Sequence, residues 1–296
     1  MTGGRRKQTQ FALLGPTRAE LGESPVWSER DRSVWWVDID GCILFKTTLE
    51  GTTRSWATPE PPGFVQLDTG FRPIVGMQSG LFRFDPDTGG FDRLVAQQQP
   101  DMRFNDACID SYGRLWAGTM DMQSARPRGT LYLIGPDRRL HPVLDGFRYI
   151  NGLAWDTDRE RLFLSDSHPD VRTVWTLDCP GGWPDPTTRR VFARFDGRAG
   201  RPDGAAIDAA GDYWIAGVGG GALHRFGPDG TARACYAVPP EYPTKPAFAG
   251  DAMSRLVLTC KNGALTIWDI GAEVGVTGSP VPRWTDGTNT EEDLTE

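Results

Sequence analysis

Four polar side chains stand at matching positions in four separate stretches of the sequence. They are Glu23 in GESPVW, Asn105 in RFNDACID, Asn151 in NGLAWD and Asp203 in PDGAAID. Each lies 11 or 12 residues before the large aromatic or branched residue of the strand that follows. Asn-Gly and Asp-Gly are ordinary turn dipeptides, so it is the shared register that indicates one common site.

Two of these side chains are carboxylates and two are carboxamides, so all four can offer oxygen atoms to a ligand. Oxygen ligation with two formal negative charges suits a hard divalent cation such as Ca²⁺, Mg²⁺ or Mn²⁺. Zn²⁺ stays open as well, because carboxylates also bind it. The four residues are therefore predicted to converge on a divalent metal ion if the fold brings their stretches together.

Six strand units recur along the chain and predict such a fold. Each unit has a polar residue, a short apolar strand, a turn, an aromatic or branched strand and then a third strand. Successive unit markers are 39, 49, 44, 48 and 42 residues apart; they are Gly41, Gly80, Gly129, Thr173, Gly221 and Gly263. A period in the forties predicts an all-β fold, a six-bladed β-propeller. A sandwich or a pair of small barrels would not give one strand order at near-constant spacing.

In such a propeller the strand before the aromatic one is innermost, so equal offsets place the four polar residues at one end of the central channel. The segment Gln8 to Leu14 precedes the first unit and is predicted to close the ring as an outer strand of the last blade. One domain is predicted over residues 8–286. Residues 1–7 and the acidic residues 287–296 are predicted to be flexible tails.

The composition argues against several classes of partner. A net charge of -7 and a pI near 5.1 argue against nucleic acid, which requires a basic surface. No apolar stretch approaches the length of a membrane span, and the run Phe11 to Leu14 is too short for a signal-peptide core. The five cysteines are widely spaced and form no C-x-x-C pair, which predicts reduced thiols in a cytoplasmic protein.

Other catalytic schemes lack the residues that they need. The stretch GMQSG from Gly76 has its serine one place too late for a G-x-S-x-G nucleophile elbow. The three histidines are scattered along the chain, so neither a nucleophilic triad nor a histidine-based zinc site is indicated.

The sequence resembles the gluconolactonase family related to regucalcin (SMP-30), from about Glu20 to Trp284. The stretches that carry the resemblance are LGESPVW, RFNDACIDSYGRLWAGTM, INGLAWDTDRERLFLSDS and RPDGAAIDAAGDYWIAGVGGG. The resemblance implies a six-bladed propeller that hydrolyses a sugar lactone with one divalent metal ion. It implies that Glu23, Asn151 and Asp203 are the metal ligands, with calcium as the expected ion and zinc, manganese or magnesium as alternatives.

The resemblance also implies residues that act on the substrate. Arg103 and Asn105 correspond to substrate-contacting residues, and Gln123 stands where some members carry a substrate-binding glutamate. A cation held beside them would polarise the lactone carbonyl and stabilise the oxyanion formed on attack. Asp203 is our candidate general base, because a carboxylate at the edge of a metal site can also accept a proton from water.

Several positions depart from the family pattern and leave the choice of lactone and its ring size open. Ala107 replaces a commoner glycine, Val218 stands where an aromatic residue is frequent, and Lys245 with Pro246 replaces a small Ser-Cys pair. Two further function classes stay open. One is a metal-assisted hydrolase of other esters or of organophosphates, and the other is a non-enzymatic calcium-binding propeller.

Overall fold

The computed structural model describes residues 6–123 and 126–287 of the 296-residue chain. Within them the chain forms 22 strands, one short α-helix (α1, Ile270–Val274) and two 3-10 turns (Pro180–Gly182 and Pro186–Thr188). No helix in the described ranges is long and apolar enough to cross a membrane. Most of the two predicted tails, residues 1–5 and 288–296, lies outside the described residues. Lys7 already pairs with the chain, since its N–H donates to Cys235 O.

The strands follow the chain in a regular order. They are β1 (Ala12–Ser28), β2 (Ser33–Asp38), β3 (Ile43–Thr48), β4 (Thr53–Ala57), β5 (Phe64–Leu67), β6 (Pro73–Gly76), β7 (Gly80–Phe84), β8 (Phe91–Ala96), β9 (Met102–Ile109), β10 (Leu115–Asp121), β11 (Gly129–Ile134), β12 (His141–Phe147), β13 (Ile150–Asp156), β14 (Arg161–Asp166), β15 (Thr173–Asp178), β16 (Arg190–Arg194), β17 (Arg201–Ile207), β18 (Tyr213–Val218), β19 (Ala222–Phe226), β20 (Ala232–Ala237), β21 (Pro243–Ala249) and β22 (Arg255–Trp268).

The described strands form five hydrogen-bonded sheets, so the prediction of six separate blades is wrong in its count. Four sheets have four strands each, β5 to β8, β9 to β12, β13 to β16 and β17 to β20, and neighbouring strands are antiparallel. The fifth sheet has six strands in the order β21-β22-β1-β2-β3-β4. It contains both the first and the last sequence unit, which the prediction had treated as two blades.

Two long strands merge these units. The first part of β1 pairs with β22, where Ala12 lies opposite Ile267, whereas its second part pairs with β2, where Trp27 lies opposite Val34. The chain of β22 turns back near Asn262, which has a φ of 54°, so that Thr266 Oγ1 donates to Leu258 O. The sheet count therefore differs from the repeat count because the two ends of the chain share one continuous sheet.

Six inner strands surround a central axis. In a closed cycle β1 contacts β5, β5 contacts β9, β9 contacts β13, β13 contacts β17, β17 contacts β21, and β21 contacts β1. The inner strands β5, β13 and β21 are buried along their whole length, whereas the outer strands β4, β8 and β16 alternate or expose most residues. This radial order of apolar inner and polar outer strands is that of a β-propeller, so the all-β prediction is confirmed.

A repeated turn after the inner strand fixes two of the sheets. In the sequence D-x-x-G-x-x-W, Asp110 accepts hydrogen bonds from the N–H groups of Tyr112 and Arg114 and from Trp116 Nε1. In the sheet of β17 to β20, Asp208 likewise accepts the Nε1 hydrogen of Trp214 at 2.9 Å. Each aspartate thereby ties a turn to a fully buried tryptophan, and burial of such rings supplies much of the core.

His224 on β19 should make stability depend on pH. Its side chain is 4% exposed, it lies between Phe195 and Phe226, and its Nε2 is 2.8 Å from Ala199 O. Burial lowers the pKa of His224 from 6.5 to about 4. As the pH falls from about 6.5 toward 4 the unfolded chain takes up the proton first, so stability present above pH 6.5 is lost. The loss from this group should reach about 3 kcal/mol.

The measurement is the free energy of unfolding by denaturant at several pH values between 7.5 and about 4.5. The glutamine variant H224Q keeps a hydrogen-bond donor but does not titrate. The free energy of unfolding of H224Q minus that of the wild type should therefore increase as the pH falls. The exposed His141, which pairs with Asp137, provides the control variant H141Q. A wild-type minus H224Q difference that is constant with pH would contradict the prediction.

Candidate functional site

Irregularities in the strands present the site residues toward one another. The pairing register shifts between Glu23 and Val26 in β1, between Asn151 and Ala154 in β13, and between Pro202 and Ala205 in β17. In β9 the register shifts at Asn105, which lies between the paired residues Phe104 and Asp106. Such bulges re-aim side chains next to binding sites. The four predicted residues thus come from bulged segments of four inner strands.

Glu23 and Asp203 lie in one buried, electrostatically coupled cluster. Their exposed fractions are 9% and 7%. Burial, and then the negative charge of Asp106, raise the pKa of Glu23 to about 8. Burial, followed by the charges of Glu23 and Asp106, raises the pKa of Asp203 well above its ordinary value. Three carboxylates therefore repel one another at the inner strands, and a bound cation would relieve that repulsion.

The two amides and Arg103 form a hydrogen-bonded chain beside the carboxylates. Asn105 Nδ2 donates to Asn151 Oδ1 at 3.0 Å and to Ile150 O at 2.8 Å. Asn151 Nδ2 donates to Ser167 Oγ, so its amide oxygen faces Asn105. Arg103 Nη1 donates to Asn105 Oδ1 at 2.8 Å. Burial lowers the pKa of Arg103 to about 10, although the negative charges of Glu23 and Asp40 act in the opposite direction. This network fixes the orientation of both amides.

The sequence interpretation assigned no role to Asp106 and treated Lys245 only as a change in the pocket wall. In the structure Lys245 Nζ donates to Asp106 Oδ1 at 2.5 Å, and both side chains are buried. Burial lowers the pKa of Lys245, but Asp106 and Glu23 outweigh it, and the pKa is raised. The adjacent pair Asn105-Asp106 was the available signal for the carboxylate. Nothing local could signal a partner 139 residues away.

Gln123 stands apart from this cluster. It follows the end of β10 and is exposed, and its backbone N–H donates to Asp121 Oδ1. Among the hydrogen bonds of residues 6–123 and 126–287, none joins the Gln123 side chain to the other predicted site residues. Its predicted contact with substrate therefore stays a prediction.

The donor set fits a hard cation by its chemistry. Glu23 and Asp203 supply buried carboxylate oxygens, and Asn151 supplies an amide oxygen held in place by Ser167. No hydrogen bond or ion pair in the described parts of the chain satisfies the Asp203 carboxylate. In those parts no group of three or more His, Cys, Asp or Glu side chains is placed to hold a metal ion. The predicted ligand set contains only two such side chains, Glu23 and Asp203, and its third member is the amide of Asn151.

These features define a β-propeller with buried oxygen donors on the bulged parts of its inner strands. Residues 21–262 match the sequence profile of the SMP-30/gluconolactonase/LRE-like region. The chain belongs to this family.

Named relatives and solved structures agree with this assignment. The chain is 34% identical over 243 residues to a 6-deoxy-6-sulfogluconolactonase of Pseudomonas putida, covering 81% of this chain and 82% of that one. It is 33% identical over 258 residues to an L-arabinolactonase of Azospirillum brasilense, covering 84% of each. A calcium-binding regucalcin of Agrobacterium tumefaciens has a similar fold, with a TM-score of 0.87, 24% identity and coverage of 95% of this chain and 99% of that one.

Proposed function

We propose that this protein hydrolyses a sugar lactone to the corresponding sugar acid with the help of one divalent metal ion. The observation that carries the proposal is the buried set of Glu23, Asn151 and Asp203 on the bulged parts of the inner strands β1, β13 and β17. It is supported by relatives named for the hydrolysis of sugar lactones. Calcium is the proposed ion and is consistent with a ligand set of oxygen atoms only; zinc, manganese and magnesium are the alternatives.

The proposed mechanism assigns a separate task to each group of residues. Glu23, Asn151 and Asp203 would hold the ion, which when bound would polarise the lactone carbonyl and lower the pKa of water. The Asp203 carboxylate also takes the proton from the attacking water. Arg103 orients the lactone by donating hydrogen bonds to its oxygens, and Asn105, whose two amide hydrogens bond Asn151 and Ile150, accepts one from a lactone hydroxyl at its Oδ1. Their mutual hydrogen bond holds both groups ready for this task. Gln123, which is exposed after the end of β10, is proposed to contact the sugar.

Removal of the metal ion tests the proposal directly. Protein treated with chelator should hydrolyse aldonolactones at least about 100-fold more slowly, and one added ion among Ca²⁺, Mn²⁺, Mg²⁺ and Zn²⁺ should restore the rate. The measurement is proton release in weak buffer with a panel of five- and six-membered sugar lactones. Full activity after chelation would overturn the metal dependence. If folded protein turned over no lactone with any ion, the lactonase proposal itself would be lost.

The overall organisation forms a further part of the proposal. We propose that residues 8–286 are one domain and that the segment Gln8 to Leu14 closes the ring as an outer strand of the last blade, which is supported by the pairing of Ala12 with Ile267 and of Leu13 with Thr266. A cytoplasmic location is proposed on the five cysteines, all of which are free thiols.

A further inference from the structure

Lys245 reaches across the central channel from β21 to β9. Its backbone N–H donates to Thr259 Oγ1 at 3.2 Å, which anchors the start of the side chain. Its stem lies against Gly204, next to Asp203, where an added Cβ would come within 2.5 Å of Lys245 Cβ and Cγ. Its Nζ then donates to Asp106 Oδ1 at 2.5 Å and to Ala107 O at 3.1 Å. The ammonium therefore lies against Asp106, and the stem packs beside Gly204, which follows the proposed metal ligand Asp203.

Asp106 is held equally firmly on the other side of this pair. Its Oδ2 accepts a hydrogen bond from Leu153 N on β13, and its Oδ1 accepts one from Ala107 N. Asp106 and Lys245 are 3% and 5% exposed, so neither charge is screened by bulk water. The ion pair consequently joins three inner strands, and it lies close enough to Glu23 and Asp203 to act on both charges.

A cavity of about 150 Å³ adjoins the ion pair. Lys245 and Ala107 line it, together with the apolar residues Val26, Ile109 and Phe248. Asp156, Asp158 and Asp208 also line the cavity, but none of them forms an ion pair with Lys245. Asp106 is the only carboxylate within ion-pair distance of Lys245 among the described residues.

We propose that Lys245 sets the charge preference of the metal site, a role that rests on the proposed function. Its ammonium neutralises Asp106, so a bound ion experiences one negative charge fewer than the three carboxylates would supply. The charge of Glu23, which Arg103 partly offsets, and that of Asp203 remain. The site is then matched to a divalent ion, since the number of ligand charges tunes cation affinity. Lys245 is a specificity-determining residue for the ion and does not itself contact substrate.

The proposal predicts how affinity changes when each charge is removed. The variant K245M keeps the length of the stem, removes the positive charge and should bind Ca²⁺ at least about tenfold more tightly. The variant D106N leaves the ammonium unpaired and should bind Ca²⁺ at least about tenfold more weakly. The double variant K245M/D106N removes both charges and should return close to the wild-type affinity.

The charge of the probe ion separates this effect from a general disturbance of the site. Coulomb energy is proportional to ionic charge, so the change in log affinity caused by K245M should be about 1.5 times larger for Tb³⁺ than for Ca²⁺. Both affinities are measured by isothermal titration calorimetry on the full chain at pH 8. Lys46, which pairs with Asp31 on the surface, gives the control variant K46M, whose affinities should equal those of the wild type.

Each outcome is decisive. The proposal is supported if the affinity for Ca²⁺ is highest in K245M, intermediate and similar in the wild type and the double variant, and lowest in D106N. The effect of K245M must also be larger for Tb³⁺ than for Ca²⁺. The proposal is overturned if K245M binds Ca²⁺ no more tightly than the wild type does. It is also overturned if K245M changes the log affinity by the same amount for Ca²⁺ and Tb³⁺. If K245M does not fold, the comparison of D106N with K245M/D106N still decides, because the double variant must bind more tightly. If the wild type binds neither Ca²⁺ nor Tb³⁺, calcium as the proposed ion and this inference both fail; if only the variant order is wrong, the inference alone fails.

Discussion

Replacement of Asp203 by asparagine should lower kcat/KM for sugar-lactone hydrolysis by about 10³-fold. The substitution keeps the shape and one oxygen ligand but removes both the negative charge and the proton acceptor. It should not lower the stability of the metal-free protein. The wild-type carboxylate is buried beside Glu23 and Asp106, and the amide relieves that repulsion. A large loss of activity without a loss of stability is therefore the expected signature of a catalytic residue.

The measurement combines steady-state kinetics at saturating metal with thermal unfolding of the metal-free variant. Asp229 provides the matched control because it is an exposed aspartate in a turn of the same sheet, where it accepts a hydrogen bond from Thr231. The variant D229N should keep the wild-type kcat/KM. Activity of D203N above about a tenth of the wild-type value would remove Asp203 from the role of general base.

Replacement of Asp208 by alanine should destabilise the fold by about 3–5 kcal/mol, the usual cost of breaking a buried ion pair. The carboxylate is 2% exposed and accepts hydrogen bonds from Asp212 N, Trp214 Nε1 and Arg225 Nη2. Alanine satisfies none of these donors and leaves the partly buried guanidinium of Arg225 without one of its partners. Because the turn joins β17 to β18, its loss weakens the sheet that carries Asp203.

Denaturant unfolding at neutral pH gives the free energy for this comparison. D229A, in the exposed turn of the same sheet, should cost less than about 1 kcal/mol. Lactone hydrolysis per folded molecule should remain near the wild-type rate in D208A, in contrast to D203N. A cost for D208A no larger than that for D229A would show that the buried turn contributes little to stability.

Local sequence was sufficient to locate most strands. The stretch RLFLSDS from Arg161 corresponds to β14 (Arg161–Asp166), and SVWWVDI from Ser33 corresponds to β2 (Ser33–Asp38). Apolar runs bounded by D-x-x-G turns are local signals, since each turn is closed by its own aspartate. Strand order within the sheets follows from the same signals because neighbouring strands in sequence pair with one another.

The number of sheets could not be predicted in this way. Each unit contributes strands at a similar spacing, so counting units gives six, whereas the described strands form five sheets. The difference arises where β1 pairs with β22 at one end and with β2 at the other, a pairing between the two ends of the chain. Sequence periodicity contains no information on whether adjoining units share a continuous strand.

For the site, spacing in the sequence was enough to identify the oxygen-bearing residues that recur in register, namely Glu23, Asn105, Asn151 and Asp203. Register is a local property, so it can be read from spacing alone. Only the tertiary structure decided how their charges are balanced. Lys245 comes from another inner strand and pairs with Asp106 across 139 residues, in a buried setting where charges interact strongly. Long-range pairing of buried charges depends on the closed ring of inner strands, and therefore no local pattern predicts it.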